Sequence, residues 1–166
     1  MLSDVEKRQF LRDVLTFKSL SEEQFDLLTQ ICEDASYETG ETIFKQGEVG
    51  GAIYIVVSGQ VLVQREVIEE TSSVSLNIVK PHQYFGEMTL FHSAPYSVTA
   101  SALDQTDILR IPRESFVEFA RQHPNLLIEL NQVLSQRLIE AYDKISELTR
   151  NRKPRELRKL YDKLDF

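Results

Sequence analysis

Residues 37–111 break into short segments rich in Val, Ile, Tyr and Thr, and this pattern leaves few folds open to the chain. Gly, Pro, Asn, Asp and Ser separate the segments, as they do between β-strands joined by tight turns. Short antiparallel strands at this spacing favour a barrel or a jelly-roll sandwich, because these architectures limit exposed sheet edges. The predicted strands are residues 42–45, 52–58, 60–68, 74–79, 97–103 and 106–111.

Glycines mark the predicted turns between these strands. Gly40, Gly47, Gly50 and Gly51 lie in tight connections that are expected to need a positive φ, and Gly59 separates two strands that would otherwise merge. Glycine suits such positions because it has no Cβ.

Helical spacing of apolar residues flanks the β region on both sides. Residues 4–36 are predicted to be helical, and the capping box Ser21-Glu22-Glu23-Gln24 marks a helix start. After Pro112 a short helix is predicted up to His123-Pro124, and a long helix covers 127–148, where apolar residues recur every three or four positions. The predicted fold is mainly β: an antiparallel β-roll of the jelly-roll type with N-terminal helices and a long C-terminal helix. Its parts are a helical segment (1–36), the β-roll (37–111), C-terminal helices (112–150) and a basic tail (151–166).

Composition excludes several classes of function. A net charge of -7 argues against a chain whose whole surface binds nucleic acid or an anionic membrane. No apolar stretch is long enough to span a bilayer and no signal-peptide core is present, so a cytoplasmic location is expected. Cys32 is the single cysteine and the three histidines lie in separate segments, so neither a disulfide nor a metal site is expected. No nucleophile motif is recognisable, and we expect no catalytic residues and no enzyme.

The segment 80–102 carries the strongest sign of a ligand site. Phe85-Gly86-Glu87 precedes Met88-Thr89-Leu90-Phe91, which can form one or two helical turns. A helix start in a barrel wall directs backbone N–H groups and the positive end of a dipole at a bound anion. The N–H groups of Met88 and Thr89 are the expected donors.

The stretches TGETIFKQGEVGGAIYIVVSGQVLV, FGEMTL and APYSVTASA occur in this order in the chain. Together they resemble the signatures of cyclic-nucleotide-binding domains, the family that includes the catabolite activator protein. The resemblance covers about Phe10 to Leu148 and implies a phosphate-binding cassette over 81–99. It implies that Glu87 accepts the ribose 2'-hydroxyl, that the backbone at Gly86 and Thr89 approaches ligand oxygens, and that Ser97 donates to a phosphate oxygen. The candidate ligand-binding residues are Phe85, Gly86, Glu87, Met88, Thr89, Tyr96, Ser97, Val98 and Tyr142.

The sequence departs from the family pattern at several of these positions. Tyr96 stands after Pro95, where the resemblance implies an arginine that pairs with the phosphate. His82 replaces a glycine before the cassette, so the turn is expected to differ in backbone conformation. Gly51 replaces a common acidic residue. Tyr142 follows Ala141 where the catabolite activator protein presents a Thr-Ser pair to the adenine, and it can stack on a base or pack at a helix interface.

The arginine is the residue on which phosphate affinity most depends. Losing a buried, charge-paired partner of this kind typically costs about 2 to 5 kcal/mol. We therefore expect a regulatory or sensor domain with altered, weak or lost binding of a cyclic nucleotide (cyclic AMP or cyclic GMP), or one that binds another small anionic ligand. An intact cyclic AMP or cyclic GMP module and a protein-interaction scaffold acting through the long helix are the alternatives.

Three further expectations concern partners. Residues 127–148 can form a homodimer or contact another protein through their apolar seam. The basic tail has six Lys or Arg against three Asp or Glu and can form a short amphipathic helix. Sixteen residues after the long helix are too few for the DNA-binding domain of the family's transcription factors, so no complete one is expected.

Overall fold

A computed structural model describes residues 2–67, 72–90 and 94–150. The chain divides into two compact units, residues 1–127 and 128–166, and each is described by itself. The predicted basic tail, 151–166, lies outside the described residues.

Four α-helices are present in the described ranges, and two of them start at capping boxes. They are α1 (Asp4–Arg12), α2 (Glu22–Gln30), α3 (Arg113–Gln122) and α4 (Pro124–Thr149), with a short 3-10 helix at Leu15–Phe17. Ser21 accepts from the backbone N–H of Gln24, whose side chain accepts in turn from the N–H of Ser21, so the predicted capping box is confirmed. Ser3 and Glu6 form an equivalent box at the start of α1.

The predicted helix over residues 4–36 is wrong in its last part. Helix α2 ends at Gln30, and Glu33–Tyr37 form strand β1. This strand pairs antiparallel with the last strand, where Ser36 donates to the carboxylate of Asp107 at 2.7 Å. Pairing across the sheet therefore overrides the helical spacing that continues through Cys32 and Ala35.

In the part of the chain that the structure describes, eight strands form two antiparallel four-stranded sheets, which confirms the predicted β-roll. The other strands are β2 (Thr42–Phe44), β3 (Ala52–Ser58), β4 (Val61–Val67), β5 (Ser72–Val79), β6 (Tyr84–Phe85), β7 (Thr99–Ala102) and β8 (Thr106–Pro112). One sheet has the order β1-β8-β3-β6 and the other β2-β7-β4-β5. Strand β6 was not predicted, since two residues are too short to show a period.

Successive residues of a strand point to opposite faces of its sheet. In β3 and β8, one face contributes to the core between the two sheets and the other is covered by a helix. Tyr54 and Val56 of β3 belong to the apolar cluster between the sheets, together with Ile108 of β8. Ile53 and Ile55 alternate with them, are fully buried, and lie on the opposite face, where α3 packs on β3 and β8.

The predicted positive φ angles are confirmed at two glycines and wrong at two others. Gly40 and Gly47 have φ of 81° and 89°, whereas Gly50 and Gly51 are not in the left-handed region. Gly50 has a different reason to lack a side chain, because a Cβ there would lie 2.1 Å from the hydroxyl oxygen of Thr89.

Helix α4 runs for 26 residues, and its later apolar residues are exposed. Leu138, Ile139, Tyr142 and Ile145 are 46% to 54% exposed. No helix among the described residues is both long and apolar enough to cross a membrane.

Candidate ligand pocket

The segment predicted as a cassette enters through a tight turn, Lys80-Pro81-His82-Gln83. The N–H of Gln83 donates to the carbonyl of Lys80 at 3.0 Å, and His82 has φ of 65°. Proline in the second position and a positive φ in the third define a type II turn, whose third position favours glycine. His82 thus adopts the left-handed conformation that glycine favours, and the expectation that its replacement of a glycine alters the turn stays a prediction.

Gly86 places the short helical turn against β3. It is the residue before a 3-10 helix, Glu87–Thr89, and has φ of 83°. A Cβ on Gly86 would lie 2.9 Å from the carbonyl oxygen of Ala52 and 3.0 Å from the Tyr54 ring. Both the backbone angle and the close approach exclude a side chain here.

The predicted helical turn is present as a 3-10 helix and engages one of the predicted donors. It covers three residues, and the predicted end at Phe91 lies outside the described residues. The N–H of Thr89 donates to the carbonyl of Gly86 at 3.5 Å, and the Thr89 hydroxyl donates to the same oxygen at 3.2 Å. Glu87 and Thr89 are buried, while the side chain of Met88 is 64% exposed.

Tyr96 points into the protein, where its ring fills part of the space between the sheets. The ring is 5% exposed and stacks on Phe44, with ring centroids 3.8 Å apart and 13° between the planes. Phe44 also contacts Phe85 and Tyr54 at centroid distances of 5.8 and 5.5 Å. Two candidate residues, Phe85 and Tyr96, thus meet in one aromatic cluster, which consists of Phe44, Tyr54, Phe85 and Tyr96.

The Tyr96 hydroxyl and backbone are both hydrogen-bonded to the loop between β2 and β3. The N–H of Gly51 donates to the hydroxyl oxygen at 3.1 Å. The N–H of Tyr96 donates to the carbonyl of Glu48 at 2.8 Å, and the N–H of Gly47 donates to the carbonyl of Tyr96 at 2.8 Å. The position where the resemblance implies a phosphate-binding cation is therefore held by contacts within the chain.

A row of polar side chains crosses the inner face of one sheet next to Tyr96. Glu33, Arg110 and Tyr54 are cross-strand neighbours, and Arg110 forms an ion pair with Glu33. Tyr54 is hydrogen-bonded to both Tyr96 and Arg110. Burial, followed by the hydrogen bond to Tyr96, raises the pKa of Tyr54 well above its usual value, so this hydroxyl stays protonated.

One residue that the sequence did not single out, Arg113, holds the helical turn in place. Arg113, the first residue of α3, donates from Nε to the carbonyls of Thr89 and Leu90 at 3.2 and 2.9 Å. Its backbone N–H donates to the carbonyl of Gly51 at 2.9 Å. A cation in the first turn of a helix is unfavourable, because it lies at the positive end of the helix dipole. The position of Arg113 after Pro112 could therefore have indicated that its side chain is stabilised by contacts outside its own helix.

Two other candidate residues, Ser97 and Val98, are not part of the aromatic cluster. Ser97 is exposed, and Val98 is half-buried against the core between the sheets. Tyr142 is 54% exposed and belongs to the second unit. Within the described residues, no group of three His, Cys, Asp or Glu side chains is arranged to hold a metal ion.

Comparisons with known proteins agree with this architecture. Residues 35–123 match the family model described as cyclic nucleotide-binding domain. The cyclic AMP receptor protein of Thermus thermophilus is 34% identical over 125 residues, which are 75% of this chain and 57% of that protein. A cAMP-dependent protein kinase regulatory subunit of Dictyostelium discoideum is 28% identical over 110 residues, covering 65% of this chain and 34% of that subunit.

Two solved structures share the fold over most of the chain. The catabolite activator protein of Thermus thermophilus superposes with a TM-score of 0.72 at 31% identity, covering 81% of this chain and 62% of that one. The sensor domain of the transcriptional regulator DNR from Pseudomonas aeruginosa gives a TM-score of 0.74 at 25% identity, covering 84% and 93%. The chain spans 57% of the length of the curated cyclic AMP receptor protein and 34% of the length of the kinase regulatory subunit.

Proposed function

The chain belongs to the cyclic nucleotide-binding domain family, and from this premise we propose that it is a non-catalytic regulatory domain whose pocket binds cyclic AMP and cyclic GMP weakly or not at all. The observation that carries the proposal is the buried Tyr96, stacked on Phe44 and hydrogen-bonded to Gly51. A neutral phenol replaces the guanidinium that could pair with two phosphate oxygens.

The charge balance of the site supports the same conclusion. Arg113 is committed to two carbonyls, and Arg110 is paired with Glu33. A phosphate entering at position 96 would therefore have to displace existing bonds as well as the aromatic ring.

Thermal unfolding with a panel of cyclic mononucleotides and dinucleotides tests the proposal. A micromolar site at about 100 µM ligand adds about 2.7 kcal/mol, or about 5 to 10 °C for a chain of this size. A site weakened by 2 kcal/mol or more adds about 0.9 kcal/mol, or about 3 °C. We expect 3 °C or less with cyclic AMP and cyclic GMP, and a larger shift with either would contradict the proposal.

Tyr96→Arg, with Tyr96→Phe as its matched control, tests the role of the residue itself. The arginine variant should bind cyclic AMP at least about tenfold more tightly than the phenylalanine variant, because it restores the cation. Equal affinity in two folded variants would show that Tyr96 is not the cause of weak binding.

The exposed apolar residues of α4 favour a second function of the chain, which is to bind another protein chain. We propose that the apolar side chains Leu138, Ile139, Tyr142 and Ile145 form a helix-to-helix contact with a second copy of this chain. Sedimentation of the intact chain and of Leu138→Glu tests this: we expect a dimer that the substitution dissociates. A wild-type monomer at high micromolar concentration would leave a heterologous protein partner as the remaining role for this surface.

A further inference from the structure

His82 is the one non-glycine residue with a positive φ among residues 2–67, 72–90 and 94–150. A side chain in the left-handed region crowds the backbone, and such a conformation persists only where surrounding contacts hold it. His82 lies two residues before β6 and four before Gly86. The backbone geometry at His82 therefore sets where the 3-10 helix of the pocket begins.

Backbone hydrogen bonds attach this turn to the middle of β3. The N–H of His82 donates to the carbonyl of Val56, and the N–H of Val56 donates to the carbonyl of Gln83, both at 3.0 Å. The same ladder continues into β6, where Tyr84 and Phe85 pair with Ile55 and Tyr54. A change at His82 would therefore pass directly into the strand that carries Phe85.

The His82 side chain provides a contact that a glycine could not. Its ring stacks on Phe10 of α1, with centroids 4.4 Å apart and 24° between the planes. Helix α1 is itself fixed to β1, because Lys7, one turn earlier, forms a mostly buried ion pair with Asp34 at 2.6 Å. The contact thus links α1 to the turn that begins the helical segment of the pocket.

We propose that His82 is a positioning residue that couples α1 to residues 83–90, so that displacement of α1 changes the conformation of the pocket wall. The stack with Phe10 holds the left-handed turn, and loss of the stack loosens the turn and the strand that follows. This coupling makes α1 an input of the regulatory domain. The inference rests on the proposed role of the pocket only for its functional meaning, because the coupling itself exists without a ligand.

Hydrogen exchange of the intact, ligand-free chain, resolved by mass spectrometry, tests the coupling. Phe10→Ala should speed the exchange of residues 83–90 by about 2- to 10-fold, the range expected for an aromatic contact of this kind. The amides of β8 should not change, which separates local loosening from a loss of global stability. Val5→Ala, which removes an exposed side chain from the same helix, is the matched control and should change neither region.

Substitutions at His82 make the test specific. His82→Gly accepts the left-handed turn without a ring, so a further Phe10→Ala should have no effect on residues 83–90 in that background. His82→Phe keeps a ring for the stack and should retain the dependence on Phe10. Equal effects of Phe10→Ala in the wild type and in His82→Gly, or no effect in the wild type, would overturn the proposal. No nucleotide is added in these exchange experiments. Their failure can therefore be distinguished from a failure of the proposed nucleotide-binding behaviour.

Discussion

Replacing Gly50 by alanine tests the close packing of the loop between β2 and β3 against the helical turn of the pocket. A Cβ at this position would lie 2.1 Å from the hydroxyl oxygen and 2.3 Å from the Cβ of Thr89. Carbon atoms in contact stay about 3.5 to 4.0 Å apart, so the two segments would have to separate by more than about 1 Å. Thr89 is only 3% exposed, so its side chain is enclosed by the protein.

The expected effect of Gly50→Ala is a loss of about 3 kcal/mol in the free energy of unfolding, at the upper end of overpacking substitutions. For a chain of this size the midpoint of thermal unfolding should fall by about 6 to 12 °C. Urea unfolding followed by circular dichroism gives the free energy directly. The adjacent Gly51→Ala is the matched control, since its Cβ would meet no atom within 4 Å and its φ is not positive.

Gly51→Ala should be neutral or slightly stabilising, by up to about 1 kcal/mol, because alanine reduces the entropy of the unfolded chain. In a Thr89→Gly background, Gly50→Ala should lose most of its effect. Surface substitutions usually change the free energy of unfolding by no more than about 0.5 kcal/mol. If the free energies of unfolding of Gly50→Ala and Gly51→Ala differ by no more than about this amount, the close approach of Gly50 to Thr89 is refuted.

The remaining predictions concern groups around the pocket and the N-terminal helix. Burial raises the pKa of Cys32 to about 12, so a thiol reagent at neutral pH should leave it unmodified in the native chain and label it on unfolding; rapid native labelling would contradict its burial. Arg113→Met should speed amide exchange at Thr89 and Leu90, since it removes the Nε donor to their carbonyls, while the exposed Arg121→Met should not. Burial raises the pKa of Asp34, but the ion pair with Lys7 and the hydrogen bond from the N–H of Leu2 act against it, and the pKa lies below its usual value. The resulting stability is therefore present above the unfolded-state pKa and is lost as the pH falls through the lower folded-state pKa. Lys7→Met should lower stability at neutral pH and flatten its acid dependence, and an unchanged acid profile would exclude this pair as a contributor.

Much of the β-roll could be predicted because its strands are short runs rich in β-branched and aromatic residues and are bounded by turn residues. Strand β3 matches its predicted bounds, 52–58, and β4 starts at Val61, one residue later than predicted, while its predicted end at residue 68 lies outside the described residues. Strand β1 could not be predicted, since Glu33, Asp34 and Ser36 are poor strand formers and the segment is held by pairing with β8. Local patterns carry no information on a partner 70 residues away.

The pocket shows the same limit at the level of single residues. The sequence predicts that Tyr96 removes a charge, but it does not tell whether the ring turns outwards or stacks on Phe44. Gly50 and Gly51 are identical in sequence terms, yet one faces Thr89 closely and the other donates to Tyr96. The resemblance predicts a changed turn at His82, but it does not tell that His82 has a positive φ or that its ring stacks on Phe10.

Calorimetric titration of cyclic AMP into the intact wild-type chain tests most directly whether Tyr96 weakens the pocket. Loss of a buried, charge-paired arginine corresponds to about 30-fold to several-thousand-fold in affinity, which moves a micromolar site to about 30 µM or weaker. We predict either no saturable heat or a dissociation constant of at least this size. A dissociation constant in the low micromolar range or tighter would contradict the proposal that this aromatic residue prevents ordinary recognition of the phosphate.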